Sequence, residues 1–104
     1  MATIDAATVR FVDVAGVRDR RIGIYTGPAV YVAGGDSLTP NEVKLGEIEF
    51  LIFEHAINGA LAIRSVVYDT ANQKVVWIVP STGVEVAPGV DLSGFQCRFE
   101  AVGK

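Results

Sequence analysis

The chain has 104 residues, half of them hydrophobic, with 9 basic and 12 acidic side chains and a net charge of −3. That length holds one domain, and that composition excludes a disordered chain. The acidic balance disfavours nucleic acid as a partner, because its binders carry a basic footprint.

A domain this small keeps much of its surface in water, yet only 20% of its residues are charged. Part of the surface is therefore expected to be covered by a partner or by copies of the chain. Cys97 is the single cysteine, so no intrachain disulfide forms. Met1–Asp5 has neither the basic start nor the apolar stretch of a secretory leader. The longest uncharged run, Ile22–Gly35, is 14 residues broken by four glycines and Pro28, short of the ~20 apolar residues of a membrane span. The chain is expected to fold in a cytoplasm, away from the membrane.

Met1–Ala7 shows no period and is expected to be a flexible arm, with residues 8–104 forming a single β domain. From Thr8 the dominant period is two. Val9 and Phe11 alternate with Thr8, Arg10 and Val12 in a first strand. The basic cluster Arg18-Asp19-Arg20-Arg21 follows, read as a hairpin loop. Ile22–Tyr25 and Ala29–Val32 are strand-like, separated by the turn pair Gly27-Pro28. Gly34-Gly35-Asp36 lacks the Gly-Lys-Ser/Thr ending of a phosphate loop and reads as a turn that needs positive φ. Thr39-Pro40-Asn41-Glu42 fits a capping box with proline at the first helical position. It predicts one short helix near 40–45, closed by Gly46.

Ile48, Phe50 and Ile52 then alternate with Glu47, Glu49 and Leu51. Asn58-Gly59 predicts a two-residue hairpin joining Glu47–Ala56 to Ala60–Tyr68. Asp69-Thr70-Ala71-Asn72 leads into Lys74–Val79, where Val75, Trp77 and Val79 share one face and Val76 and Ile78 the other. A strand apolar on both faces is central or covered on its outside. Turns follow at Pro80–Gly83 and Pro88-Gly89. Phe95, Cys97, Phe99 and Ala101 alternate with Gln96, Arg98, Glu100 and Val102 in the last strand. The whole predicts an all-β fold, an antiparallel β-sandwich or jelly-roll-like barrel.

Candidate chemistry is sparse. Glu47 and Glu49, two apart on a strand, would set carboxyls roughly 6–7 Å apart, near the spacing of inverting glycosidases. A chain this short hardly builds the cleft such an enzyme needs, so a solvated pair is the plainer reading. Cys97 and His55 are the possible thiol–imidazole pair, but Cys97 lies on an apolar strand face, where a thiol packs as a small hydrophobe. One histidine and one cysteine make no zinc cluster. Loop carboxylates such as Asp36 or Asp69 have no calcium-loop motif behind them. No catalytic residue, metal or cofactor is expected, and the chain is not expected to be an enzyme. Trp77, Tyr25, Tyr31 and Tyr68 would suit a stacking platform for sugars, although aromatics on strands more often form core.

Gly34–Lys104 resembles the small virion proteins of tailed bacteriophages that decorate the head, the capsid cement type. The likeness runs through the turn and helix Gly-Gly-Asp-Ser-Leu-Thr-Pro-Asn-Glu-Val-Lys-Leu-Gly at 34–46, Ile48–Leu51, Val67-Tyr68-Asp69, Asn72–Val75, Glu85-Val86 and Asp91-Leu92-Ser93. It ends on Arg98-Phe99-Glu100-Ala101-Val102-Gly103-Lys104. The resemblance implies a β-sandwich or jelly-roll-like module, often a homotrimer, on the capsid surface, with the major capsid protein as partner and assembly in the host cytoplasm. It offers no active-site residues. The first 33 residues match less well, and there members of the group are expected to differ in how they grip a shell. Arg10, Arg18, Arg20 and Arg21 are the expected partner-facing charges. The alternatives are another phage head or tail component, or a glycan-binding β-sandwich on the virion surface. The surfaces expected to be buried by neighbours are the two-faced Val75–Val79 strand, the uncharged Ile22–Gly35 run and the apolar arm.

Overall fold

The computed structural model describes residues 3–4, 10–13, 19–60 and 62–104, with the side chains of residue 3 and residues 10–13 left aside. The fold is all-β, as the alternating pattern predicts. Among the described residues, ten strands form one antiparallel sheet curled into a half-barrel: β1 (Thr3–Ile4), β2 (Arg10–Asp13), β3 (Asp19–Thr26), β4 (Asp36–Ser37), β5 (Ile48–Phe53), β6 (Ala56–Ile57), β7 (Ile63–Asp69), β8 (Lys74–Val79), β9 (Val84–Glu85) and β10 (Gln96–Gly103).

The backbone of the fold is the pairing of β3 with β10, eight positions from Gln96↔Thr26 to Gly103↔Asp19. The free edge of β3 takes β2 and β1. The other edge of β10 takes β5 and, at Gln96, the short β6. β6 also pairs with β7, β7 with β8, and β8 with both β4 and β9. The two-residue β6 is thus the fold line about which the sheet turns over itself. The enclosed core holds Tyr25, Leu51, Val66, Val75, Trp77, Leu92, Phe95, Phe99 and Ala101. Tyr25 on β3 meets Trp77 on β8 across it, ring centroids 5.9 Å apart.

Several sequence expectations are corrected. The strand expected over Glu47–Ala56 is broken at Glu54-His55 into β5 and β6. The β5 half pairs with β10, far away in sequence, rather than with the next strand. The Asn58-Gly59 turn is not a two-residue hairpin, because residues 58–62 separate the paired Ile57 and Ile63. The Asn58 carboxamide oxygen organises this loop by accepting the N–H groups of Ala60 and Ala62, both at 3.0 Å. Side-chain capture of backbone donors is what asparagine offers a turn.

The register of β5 against β10 slips between Val102↔Phe50 and Gly103↔Ile48, leaving Glu49 as the extra residue of a bulge. A bulge re-aims every side chain beyond it. Ile48 and Leu51 are therefore both buried, three apart, while Phe50 and Ile52 face outward instead of into the core. Gly103 permits this crossing, since a Cβ there would collide with the carbonyl oxygen of Glu47.

Ala29–Val32 is not a strand. Its alternation is nonetheless real, with Tyr31 buried between exposed Val30 and Val32. Loop-to-loop bonds, Tyr31 N to Val90 O and Gly89 N to Tyr31 O, hold it in place of a ladder. The expected helix is a single 3₁₀ turn, Pro40–Val43, with Glu42 reaching back to the Thr39 N–H at 3.3 Å. It ends at Lys44 in the left-handed conformation, φ 60°, not at Gly46. Of the expected arm, Thr3–Ile4 pairs with β3 and the rest of residues 1–7 lies outside the described residues.

Candidate docking surfaces

Of the four arginines expected to face a partner, Arg20 and Arg21 do not share one patch. Successive side chains on a strand point to opposite faces, and β3 separates Arg20 from Arg21 in this way. Arg20 lies on the outer face and pairs with Glu100 at 3.0 Å. Arg21 is buried on the inner side, its guanidinium 3.5 Å from Asp19 and donating to the Arg20 carbonyl. Arg10 sits opposite Ile22 in the β2–β3 register. Arg18 lies outside the described residues.

The aromatic platform does not form either. Tyr25, Tyr31 and Trp77 are fully buried and joined by polar contacts. The Tyr25 hydroxyl donates to Asp36 at 2.8 Å and accepts from the Trp77 indole N–H at 3.1 Å. The Tyr31 hydroxyl accepts the Trp77 backbone N–H at 3.1 Å and donates to Glu85 at 2.6 Å. Burial raises both phenols, Tyr31 to about 12. Tyr68 is half-buried and donates to the Leu38 carbonyl at 2.8 Å. These rings satisfy buried polar groups, as buried tyrosine and tryptophan usually do.

Cys97 is buried, and burial with the nearby Glu54 charge pushes its thiol up to about 12. A thiol so placed is not a thiolate at neutral pH, while His55 is exposed after the end of β5. Glu47 precedes β5 and Glu49 occupies the bulge, so the regular spacing that set their carboxyls on one face is lost. Gly34 and Gly35 adopt φ of 92° and 122°, as the turn reading requires. Asp69 is half-buried, and its carboxyl is held below its usual range by the Asn72 side chain. Among the described residues, no group of three or more His, Cys, Asp or Glu is placed to hold a metal ion.

Two apolar surfaces stand out, the second of which the uncharged Ile22–Gly35 run signals in the sequence. One is the outer face of the β3–β10–β5 sheet. Cross-strand neighbours there run Phe50, Val102, Arg20 in one row and Ile52, Glu100, Ile22 in the next. Phe50 and Ile52 are 44% and 57% exposed. Two open depressions of about 340 and 300 Å³ lie along this face and share Glu54 and Arg98. The pair Ile57 and Ile63, both exposed, continues it over the fold line.

The second is a loop pair at 27–35 and 86–95. Val30 and Val32 are 65% and 62% exposed, with Val90 beside them. Asp91 is the sole charged residue of the two segments, and its carboxylate accepts from the Ser93 N–H and hydroxyl. The loops are tied down by Tyr31, by Leu92 N to Pro28 O at 2.8 Å and by Gly34 N to Glu85 at 2.9 Å. Gly27 lies so close to Leu92 that a Cβ there would collide with it. Sequence carried one signal for this surface, the absence of charge over Ile22–Gly35.

A comparison with protein-family models, curated proteins and solved structures finds no match for this chain.

Proposed function

We propose that this chain is a structural virion protein that binds and stabilises a bacteriophage capsid shell, as a decoration or cement protein on the capsid surface. Its partner is the major capsid protein, and it acts as a homo-oligomer, the trimer being the form that the resemblance of Gly34–Lys104 to head decoration proteins favours. One observation carries the reading. The apolar residues that a small soluble monomer would keep inside stand outside, on one uncharged loop surface and on one sheet face where paired charges are interspersed, and the depressions along that face are open.

Clamping a shell takes contact area rather than a pocket. The Val30–Val32 and Val90 loops supply area without charge to desolvate, and they are bonded in place before docking. Pre-ordered loops lose little entropy on binding. Many copies on a repeated lattice make modest single contacts sufficient. The glycan-binding alternative loses its support, since three of the four aromatics offered as a sugar platform are fully buried.

The test is co-sedimentation with empty shells assembled from the major capsid protein of the phage that encodes this chain. The protein is expected to pellet with shells in a fixed ratio to capsid subunits. Protein that stays in the supernatant at saturating shell concentration contradicts the proposal.

A further inference from the structure

The outer face of the β3–β10–β5 sheet is distinct from the Val30–Val90 loops, and its chemistry differs. It carries both signs of charge among its apolar residues. Arg20 and Glu100 pair within the chain at 3.0 Å. Arg98 and Glu54 stand 3.9 Å apart, with side chains 79% and 57% exposed. That second contact is loose, and a loose exposed ion pair contributes little to the fold. The Arg98 guanidinium is therefore available to charges on an incoming surface, and the exposed Glu54 carboxylate, whose Oε1 also accepts the Arg98 backbone N–H at 3.0 Å, offers its second oxygen.

We infer that this face is the contact between copies of the chain. The inference rests on the proposed reading only in that the chain assembles; it adds the surface used, and a patch stacked on itself makes a two-fold pair rather than the trimer that the resemblance favours. Three observations select a second copy as occupant. First, the patch is complementary to itself in charge. A neighbouring copy on the same patch sets Arg98 of one chain against Glu54 of the next, with no excess of either sign. A partner of one charge sign would meet its like. Second, apolar and charged residues alternate across this face, and the central Glu100 is already neutralised by Arg20. Ile52 and Ile22 sit either side of Glu100 in one row, and Phe50 and Arg20 either side of Val102 in the other. With that charge matched inside the chain, the exposed side chains of Phe50 and Ile52 are the apolar area an incoming surface would cover. Third, a stable contact takes about 800 Å² from each partner. A body of 40 × 27 × 21 Å offers that on a long flank, not on an end. The eight-residue strands β3 and β10 span roughly 27 Å of sheet at 3.3–3.4 Å per residue. Two such faces stacking at the usual ~10 Å between sheets would bury Phe50, Ile52, Ile22 and Ile24 together.

Sedimentation equilibrium of the full chain tests this, on wild type, Ile52→Asp, Arg98→Glu and Glu54→Arg, with thermal melts to check folding. Wild type is expected to sediment as an oligomer and Ile52→Asp as a monomer with an unchanged melt. Arg98→Glu is expected to weaken association at least tenfold at low salt, and mixing it with Glu54→Arg to restore it. Should Ile52→Asp fail to fold, the exposed Arg98 and Glu54 variants decide alone. A monomeric wild type overturns the inference, as does an Ile52→Asp variant that folds and keeps the wild-type mass. Val30→Asp separates the two claims. Association through this face without shell binding contradicts the proposed function and leaves the inference standing. Shell binding by a monomeric wild type that Ile52→Asp abolishes assigns the face to the capsid protein and overturns the inference alone.

Discussion

The hydroxyl of Tyr31 completes the edge of β8 by accepting the backbone N–H of Trp77 at 3.1 Å while donating to Glu85 at 2.6 Å. β8 is paired along that edge by β4 at Val75 and by β9 at Ile78. Trp77 lies between them with no strand opposite its N–H, and a side chain from the Val30–Val32 loop fills the gap. The same residue thus satisfies a core strand and fixes the exposed loop. Packing and the proposed docking surface are coupled through one phenol.

Tyr31→Phe keeps the ring and removes both bonds. It leaves the Trp77 N–H buried without an acceptor, which costs about 1–3 kcal/mol. Chemical denaturation is expected to show that loss, and amide exchange is expected to quicken at Trp77. Unchanged stability would mean that the hydroxyl is not the acceptor.

Alkaline pH acts on the same region. Burial and the bond to Glu85 raise Tyr31 to about 12 in the folded chain, above its ordinary 10.0, and burial raises Cys97 to about 12 from 9.0. The unfolded chain therefore releases these protons first as pH rises, and linkage lowers stability in that interval. Their contribution is full below pH 9 and falls as pH climbs towards 12. Denaturation midpoints across that range are expected to decline, less steeply in Cys97→Ala. A flat profile contradicts the burial of these groups. Thiol reagents are likewise expected to modify Cys97 in the native protein only at the rate of unfolding.

Arg20 and Arg21 are adjacent in sequence and opposite in consequence. Arg21→Glu buries a carboxylate on the inner face and is expected to cost at least about 2 kcal/mol. Arg20→Glu sets two carboxylates together on a surface that water still reaches, a change expected to stay within about 1 kcal/mol. Equal losses in thermal melts would contradict their placement on opposite faces.

Gly103 marks where β10 crosses β5. An added Cβ collides with the Glu47 carbonyl, and the paired bonds between Glu47 and Lys104, both at 3.1 Å, close the strand end there. Gly103→Ala is expected to cost about 1–3 kcal/mol, as overpacking does, read by denaturant midpoint.

The strands with strict alternation were legible, and β10 and β8 lie where the period places them. The cap at Thr39 and the glycine turn at Gly34-Gly35 were legible too, because their chemistry is local. The outward turn of Phe50 and Ile52 was not. It depends on a one-residue slip against a strand about fifty positions away, and a period-two pattern carries no record of that slip. Tyr31 misled in the same way, since its burial alternates like a strand but is enforced by Gly89 and Val90. The arginine cluster looked like one patch because sequence shows proximity and not the face of a strand. The sheet-face docking surface was thus hidden by residues that the pattern counts as core, whereas the loop surface showed in the sequence as the uncharged Ile22–Gly35 run.

The most direct test of the account is the melting temperature of empty shells with and without the protein, measured beside Val30→Asp. A buried valine is worth about 1.5–3 kcal/mol, and a carboxylate in its place adds a desolvation cost. Wild type is expected to raise the shell's melting temperature, and Val30→Asp, folded and of unchanged mass, is expected not to. Shells that melt at the same temperature with or without wild-type protein would contradict the proposed function.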